Sequence, residues 1–170
     1  MVGLVSRAED SSIKTPPFSE PFDLSHVGKT FDLKVSIQET GAYSLTIRFF
    51  VRRPNKYLRL LDAEDTPEEA IRLSKILGAP TKTLSGDWRE AGAPVAFNIK
   101  VYNNLSEQYI FSAHVTHPGT SARYMGRYAE IFQGNLDKGQ YSIRLEYFEG
   151  NPALFDYPAE ISFGKSHHGK

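Results

Sequence analysis

One stretch of the chain runs Gly41-Ala42-Tyr43-Ser44-Leu45-Thr46-Ile47-Arg48-Phe49-Phe50. After the glycine, apolar and polar side chains alternate with a period of two, which is the pattern of a β-strand with one buried and one solvated face. The same alternation returns in five other segments, which are residues 31–37, 95–101, 109–115, 141–147 and 157–163. Short amphipathic strands repeated in this way are typical of a sandwich or a barrel.

The predicted fold is mostly β: an antiparallel, Greek-key-like β-sandwich of seven or eight strands with one helix in an insertion. Residues 124–132 alternate less cleanly, and Gly126 there suggests a β-bulge. The proline-rich segment 15–24 is predicted to be an extended edge that buries Phe18 and Phe22, because proline is excluded from central strands.

Length and composition narrow the class of protein. The chain has 170 residues, with twenty basic and twenty acidic side chains and no cysteine. The size favours one domain, which we place at 15–164 between a disordered lead-in, residues 1–14, and a disordered tail, residues 165–170. Balanced charge argues against general binding to nucleic acid or anionic membranes, and no apolar run approaches the ~20 residues that span a bilayer. The lack of cysteine excludes disulfides, thiolate catalysis and sulfur-ligated zinc.

Residues 52–92 interrupt the strand pattern and contain a predicted helix. Thr66 and Glu69 have the spacing of an N-terminal capping box, with proline at the first helical position. Four apolar residues then share one face at helical spacing, namely Ala70, Leu73, Ile76 and Leu77. Gly78 follows where a helix should stop. We therefore expect a helix over residues 67–77 in an insertion between two sheet strands.

A second segment, residues 139–148, echoes the opening stretch in glycine, tyrosine, serine, two aliphatic residues, an aromatic residue and phenylalanine. Such an echo arises either from an ancient duplication or from the general pattern of an amphipathic strand that opens with Gly-x-Tyr. Leu136 and Gly139 stand five and two residues before Tyr141, a spacing that resembles the tyrosine corner of Greek-key sandwiches. That motif indicates fold and carries no function.

Four features of the second half form a pattern. They are an alternating strand at 94–102, a polar hairpin at Asn103-Asn104, the Gly-x-Tyr strand at 139–148 and the segment Asn151-Pro152-Ala153-Leu154. In this pattern, residues 94–163 resemble a family of small bacterial β-sandwich domains found in envelope proteins and lipoproteins. Some members resemble immunity proteins encoded beside interbacterial toxins. The resemblance implies a periplasmic or envelope location, with the cytoplasm as the alternative, and it carries over no site residues. The lipoprotein cysteine is missing, so an anchor would have to lie outside this chain.

The sharpest charge asymmetry lies around the start of the insertion, where the basic cluster of Arg48, Arg52, Arg53, Lys56 and Arg59 precedes an acidic run at residues 62–69. One interpretation is a protein interface, because arginine, tyrosine and tryptophan dominate interface hot spots. The other is local charge pairing, with Trp88 packing the insertion onto the core. The predicted partner-binding residues are Arg52, Arg53, Lys56, Tyr57, Arg59 and Trp88.

A second set of aromatic residues forms a candidate site for carbohydrate binding. The segment Arg123-Tyr124-Met125-Gly126-Arg127-Tyr128 repeats Arg-Tyr, which as a strand places both tyrosines on one face. Aromatic rings in a row could stack on sugars, although such a row is more often half of a sandwich face. The predicted sugar-binding residues are Trp88, Tyr124 and Tyr128.

The sequence contains no catalytic motif. There is no Gly-x-Ser-x-Gly elbow, Walker loop, Gly-x-Gly-x-x-Gly or His-Glu-x-x-His. His114 and His117 would point to opposite sides of a strand, so no metal site or cofactor is predicted. We predict a non-enzymatic protein-binding module, in its specific form an immunity protein that occludes a toxin encoded nearby. A carbohydrate-binding module is the alternative, and an envelope assembly factor or chaperone is the third hypothesis.

Overall fold

The computed structural model describes residues 12–51, 67–123 and 126–166. Its strands are β1 (Phe18–Phe22), β2 (Thr30–Ile37), β3 (Gly41–Phe50), β4 (Thr81–Lys82), β5 (Trp88–Arg89), β6 (Val95–Asn103), β7 (Gln108–Thr116), β8 (Thr120–Arg123), β9 (Gly126–Leu136), β10 (Gly139–Gly150) and β11 (Ala159–Lys165). Helix α1 spans Pro67–Ile76, and a short 3-10 helix spans Pro152–Leu154.

Two antiparallel sheets form the sandwich. The four-stranded sheet has the order β2-β10-β6-β7, and the five-stranded sheet has the order β1-β11-β3-β9-β8. Only β6–β7 and β8–β9 are consecutive strands paired within one of these sheets, so the chain crosses repeatedly between them. The predicted mostly β, antiparallel sandwich is confirmed. Among the described residues, β8 and the small β4–β5 hairpin are strands that the alternation did not predict, because each has only two to four residues.

The alternating residues of both sheets face one apolar core. On β3, Leu45 and Ile47 are fully buried, whereas Ser44 and Thr46, each of which directly precedes one of them, are partly exposed. Burial of each such aliphatic side chain contributes about 1.5–3 kcal/mol relative to exposure. The period of two in the sequence therefore reports directly which side chains lie between the sheets.

The two ends of the domain differ slightly from the predicted bounds. Lys14 pairs in parallel with Val35 of β2, so ordered contacts reach into the predicted lead-in. At the other end, β11 runs to Lys165, one residue beyond the predicted limit. The proline-rich segment forms the predicted edge, since β1 pairs with β11; it buries Phe22, whereas Phe18 is only partly buried against the core. Residues 1–11 and 167–170 lie outside the described residues.

The predicted bulge at Gly126 is wrong in position. Gly126 pairs with Phe50 in regular register. The irregularity on β9 is at Ile131, which has no pairing partner on β3 because its neighbours Glu130 and Phe132 pair with the consecutive residues Thr46 and Leu45. Ile131 and its neighbour Phe132 are both buried, which regular alternation does not allow. Gly126 instead permits a close approach of two backbones, because a Cβ there would overlap the carbonyl oxygen of Phe49.

The sequence echo corresponds to one motif formed twice. The Tyr141 hydroxyl donates to the carbonyl of Asp137 over 2.9 Å, which is the predicted tyrosine corner. The Tyr43 hydroxyl donates in the same way to the carbonyl of Glu39 over 2.7 Å. Each bond follows a crossing between sheets, and the corners touch where the Lys138 amide donates to Thr40 Oγ1 over 3.2 Å. Burial raises the pKa of Tyr141, because the charged phenolate would lose its contact with water.

Removal of either corner hydroxyl is expected to destabilise the domain. Tyr141→Phe and Tyr43→Phe should each lower the free energy of unfolding by about 1 kcal/mol, because each leaves a carbonyl without its donor. Urea unfolding followed by fluorescence measures the change. Tyr157→Phe, at a half-buried tyrosine outside both corners, is the control. Equal stability of all three variants and the natural chain would show that the corners contribute nothing.

Candidate binding surfaces

Helix α1 fixes the insertion to the sandwich through two leucines. Leu73 and Leu77 are buried in the common core, and Ile76 packs partly against it. Ala70, predicted on the same face, is exposed, because the first turn of the helix extends past the core. Gly78 adopts φ +58°, and the amide of Ala79 donates to the carbonyl of Ser74 over 3.0 Å, so the helix ends with the predicted glycine stop.

A two-stranded hairpin, β4–β5, follows the helix. Lys82 pairs with Trp88 across this hairpin. The turn is closed by the Thr83 amide, which donates to the Asp87 carbonyl over 2.7 Å, and by the Asp87 amide, which donates to Thr83 Oγ1 over 3.1 Å. Leu84 in the turn is fully exposed, and the Trp88 side chain is 70% exposed. The hairpin therefore presents two large apolar side chains to water on an ordered turn.

The return of the hairpin to the sheet is also fixed by hydrogen bonds. The Thr120 amide donates to a carboxylate oxygen of Glu90 over 2.9 Å, and the Ala93 amide donates to the carbonyl of Pro118 over 2.9 Å. The insertion is thus attached to the sandwich before and after the hairpin. The interpretation that Trp88 itself packs the insertion onto the core is wrong, since Leu73 and Leu77 do so and Trp88 stays exposed.

Trp88 is the one predicted partner-binding residue within the described part of the chain. The other five, namely Arg52, Arg53, Lys56, Tyr57 and Arg59, lie outside the described residues, and so does Tyr124 of the predicted sugar site. Within the hairpin, Lys82 is the register partner of Trp88, and Arg89 is the next residue along β5. The basic residues that share the hairpin with Trp88 are therefore other than those that the sequence singled out.

Tyr128 lies apart from the hairpin, on the outer face of the five-stranded sheet. It is half-buried and lines an open depression of about 370 Å³. The other lining residues of this depression are Pro17, Ser44, Thr46, Arg48, Glu130, Gln133, Ser162, Phe163, Gly164, Lys165 and Ser166. Since Trp88 is not among them, the depression does not join Trp88 and Tyr128 in one sugar platform.

The four-stranded sheet carries an exposed aromatic pair that sequence reasoning missed. Tyr109 belongs by alternation to the buried row 109–115, yet its side chain is 66% exposed. The β6–β7 pairing is irregular here: Val101 pairs with Phe111 and Tyr102 pairs with Tyr109, so Ile110 has no partner on β6. This extra residue turns Tyr109 to the outer face of the sheet. The two rings meet edge to face with their centroids 5.1 Å apart.

Charged groups surround this pair in a second open depression, of about 380 Å³. We call this surface the Tyr109 face; its lining residues are Asp32, Lys100, Tyr102, Tyr109, Ser142 and Arg144. Lys100 Nζ lies 5.8 Å from the centroid of the Tyr109 ring. Arg144 Nε donates to Asp32 Oδ1 over 2.8 Å, and this hydrogen bond raises the pKa of the Arg144 guanidinium.

The histidines form no metal centre in the part of the chain that the structure describes. His114 stacks on Phe148 with centroids 4.5 Å apart and bonds to Asn98 through Nδ1 over 2.7 Å. His117 follows the end of β7, as expected for a strand-end residue, with φ +48°. Across residues 12–51, 67–123 and 126–166, no cluster of three potential ligands could hold a metal ion. No helix in the same ranges is long and apolar enough to cross a bilayer.

A family model described as a domain of unknown function, DUF5625, matches residues 19–165. The chain belongs to the DUF5625 family. The match extends well beyond the second half of the chain, where the sequence resemblance lay. The sequence matches none of the curated proteins with which it was compared.

Among solved structures, the DUF5625 chain is similar to a protein from Sulfurospirillum deleyianum, at 22% identity and a TM-score of 0.65. The similarity covers 89% of this chain and 98% of that one, and it shows a common fold. A carbohydrate-binding module from Cellvibrio mixtus lichenase 5A, solved with cellotriose, aligns over 89% of this chain and 88% of its own at 10% identity and a TM-score of 0.34. A likeness at that level assigns no ligand to this chain.

Proposed function

We propose that this DUF5625 domain is a non-enzymatic protein-binding module whose contact surface is the β4–β5 hairpin. One observation carries the proposal: Leu84 and Trp88 stand exposed on a turn that its own hydrogen bonds hold in place. Exposed tryptophan and leucine side chains lose contact with water when a partner covers them, and tryptophan is among the residues most enriched in interface hot spots.

The chemistry of the hairpin defines the kind of partner. Trp88 and Leu84 fit an apolar pocket, while Lys82 and Arg89 beside Trp88 fit an acidic rim around that pocket. Because the insertion is attached to the sandwich on both sides of the hairpin, binding requires little ordering of the chain, which favours affinity. The specific form of the proposal is an immunity protein that covers a functional surface of a toxin.

Two further features belong to the proposal. The domain has no catalytic activity of its own, because the sequence lacks a recognisable nucleophile or metal motif. Its location is the periplasm or cell envelope, as the sequence resemblance implies. Assay of purified protein on ester, peptide and glycoside substrates tests the first feature, and cell fractionation tests the second.

Truncation of the hairpin side chains tests the protein-binding function. The probe is the protein encoded by the adjacent gene, co-expressed and purified with this chain. Trp88→Ala should weaken binding by about 2 kcal/mol, or roughly 30-fold, mainly through faster dissociation. Leu84→Ala should weaken it less, and Arg89→Glu should slow association. Biolayer interferometry measures both rates.

Leu105→Ala provides the matched control. Leu105 is an exposed leucine in the β6–β7 turn, separated from the insertion by the length of β6. Its truncation should leave binding unchanged, and all variants should melt like the natural chain. If Trp88→Ala binds the partner as tightly as the natural chain does, the hairpin is not part of the interface. If the chain binds many unfolded proteins and no single partner, the result would favour a chaperone. If it does not protect cells from the neighbouring gene product, the immunity form of the proposal is wrong.

A further inference from the structure

The Tyr109 face is organised by the strand register into two adjacent rows. In the first row, Asp32, Arg144, Lys100 and Ser112 follow one another across β2, β10, β6 and β7. In the second row, Lys34, Ser142, Tyr102 and Tyr109 follow in the same strand order. A line of charged groups thus lies beside a line that ends in two aromatic rings, on a sheet surface that faces solvent.

The first row places two cations directly opposite each other. Arg144 and Lys100 are register partners on neighbouring central strands, and like charges in that position are unfavourable. Asp32 pairs with Arg144 through two hydrogen bonds of 2.8 and 3.4 Å. Within the described ranges, no carboxylate forms an ion pair with Lys100. An anion placed between Lys100 and Arg144 would relieve their repulsion and gain charge-assisted hydrogen bonds from both.

The second row supplies an aromatic surface next to the cations. Tyr109 is 66% exposed, and Tyr102 supports it edge to face. The face of an aromatic ring carries negative charge density, so it attracts the C–H groups on the flat side of a sugar ring. Ser142 is hydrogen-bonded to Asn104 over 3.0 Å, and with Asp32 it offers oxygen atoms to sugar hydroxyls.

We propose that the Tyr109 face binds an acidic saccharide, with a sugar ring stacked on Tyr109 and its carboxylate held by Lys100 and Arg144. A nucleic acid fits less well, because the three cations of the two rows cannot follow a phosphate backbone over several nucleotides. The depression of about 380 Å³ suits one or two sugar rings. This site is independent of the hairpin and of the proposed protein partner.

Titration followed by NMR tests the site with matched sugars. The probes are trigalacturonate, its trimethyl ester, in which the same rings carry no charge, and a hyaluronan tetrasaccharide as a second acidic sugar. We expect at least one acidic probe to shift amide signals of β6, β7 and β10. The uncharged ester should bind about tenfold more weakly than trigalacturonate, and added salt should lower the affinity of the acidic probe but not that of the ester.

Four variants locate the contacts. Tyr109→Ala should weaken acidic-sugar binding about tenfold or more, whereas Tyr109→Phe should retain it, since stacking does not need the hydroxyl. Lys100→Gln should reduce the preference for the acid over its ester, since Arg144 alone then holds the carboxylate, and Lys75→Gln at an exposed position of helix α1 should leave the preference intact. The proposal is overturned if neither acidic sugar binds at millimolar concentration, if acid and ester bind equally, or if the shifted signals lie elsewhere. Tighter binding of a single-stranded oligonucleotide would overturn it in favour of nucleic acid.

Discussion

Truncation of Leu77 to alanine is expected to lower the free energy of unfolding by about 2–5 kcal/mol. Leu77 lies just after helix α1, within a segment that interrupts the strand pattern, yet its side chain is fully buried in the core shared by both sheets. The substitution removes buried apolar contacts and leaves a cavity that the rigid sheets cannot close. The insertion should therefore contribute to the stability of the whole domain.

Ile71→Ala on the same helix is the matched control. The Ile71 side chain is 54% exposed, outside the apolar face of the helix, so its truncation should change stability by no more than about 0.5 kcal/mol. Chemical denaturation of both variants, followed by circular dichroism and by tryptophan fluorescence, makes the comparison. Since Trp88 lies in the insertion and the strands lie in the sandwich, coincident transitions would show that they unfold together. A stable Leu77→Ala sandwich with a separately melted insertion would contradict this prediction.

The alternation predicted the sheets because burial selects for it directly. A strand between water and a core must place apolar residues at every second position, and Leu45 and Ile47 do so. The corner at Tyr141 could also be predicted, because its leucine and glycine have a fixed spacing. Its counterpart at Tyr43 has no leucine at the matching position, since Gln38 stands there, so the sequence shows the motif only once.

The exposed face of Tyr109 could not be predicted from the sequence. One extra residue in a strand reverses the faces of every residue on one side of it. Here the extra residue is Ile110, which has the composition of an ordinary strand residue and gives no local signal. Gly126, by contrast, suggests a bulge in the sequence, but in the structure it allows a close contact between two backbones.

The candidate hairpin shows a different limit. Turn residues at Ser85, Gly86 and Asp87 are visible in the sequence, but tryptophan suits a core and an interface equally well. The 70% exposure of the Trp88 side chain, together with the burial of Leu73 and Leu77, shows that Trp88 does not pack the insertion onto the core. The proposed role of the basic cluster at 48–59 in binding a partner stays a prediction.

Gly126→Ala adds a single methyl group and is expected to lower the free energy of unfolding by about 3 kcal/mol or more. A Cβ at this position would overlap the carbonyl oxygen of Phe49 and lie 3.0 Å from its carbonyl carbon, and both atoms belong to the backbone of β3. A side chain could rotate away, but β3 is a central strand held by β9 and β11 on either side. The sheet must therefore separate where β9 begins.

Gly41→Ala is the control, because it adds the same methyl group where β3 begins. Its Cβ would meet only the ring of Tyr43, at 3.9 Å, so stability should be unchanged or slightly higher, since alanine restricts the unfolded chain. Urea unfolding of both variants, with hydrogen exchange of the β3 and β9 amides, gives the comparison. Faster exchange confined to the start of β9 in Gly126→Ala would locate the damage at this contact. Full stability of Gly126→Ala would contradict the prediction and would mean that β3 and β9 approach less closely there.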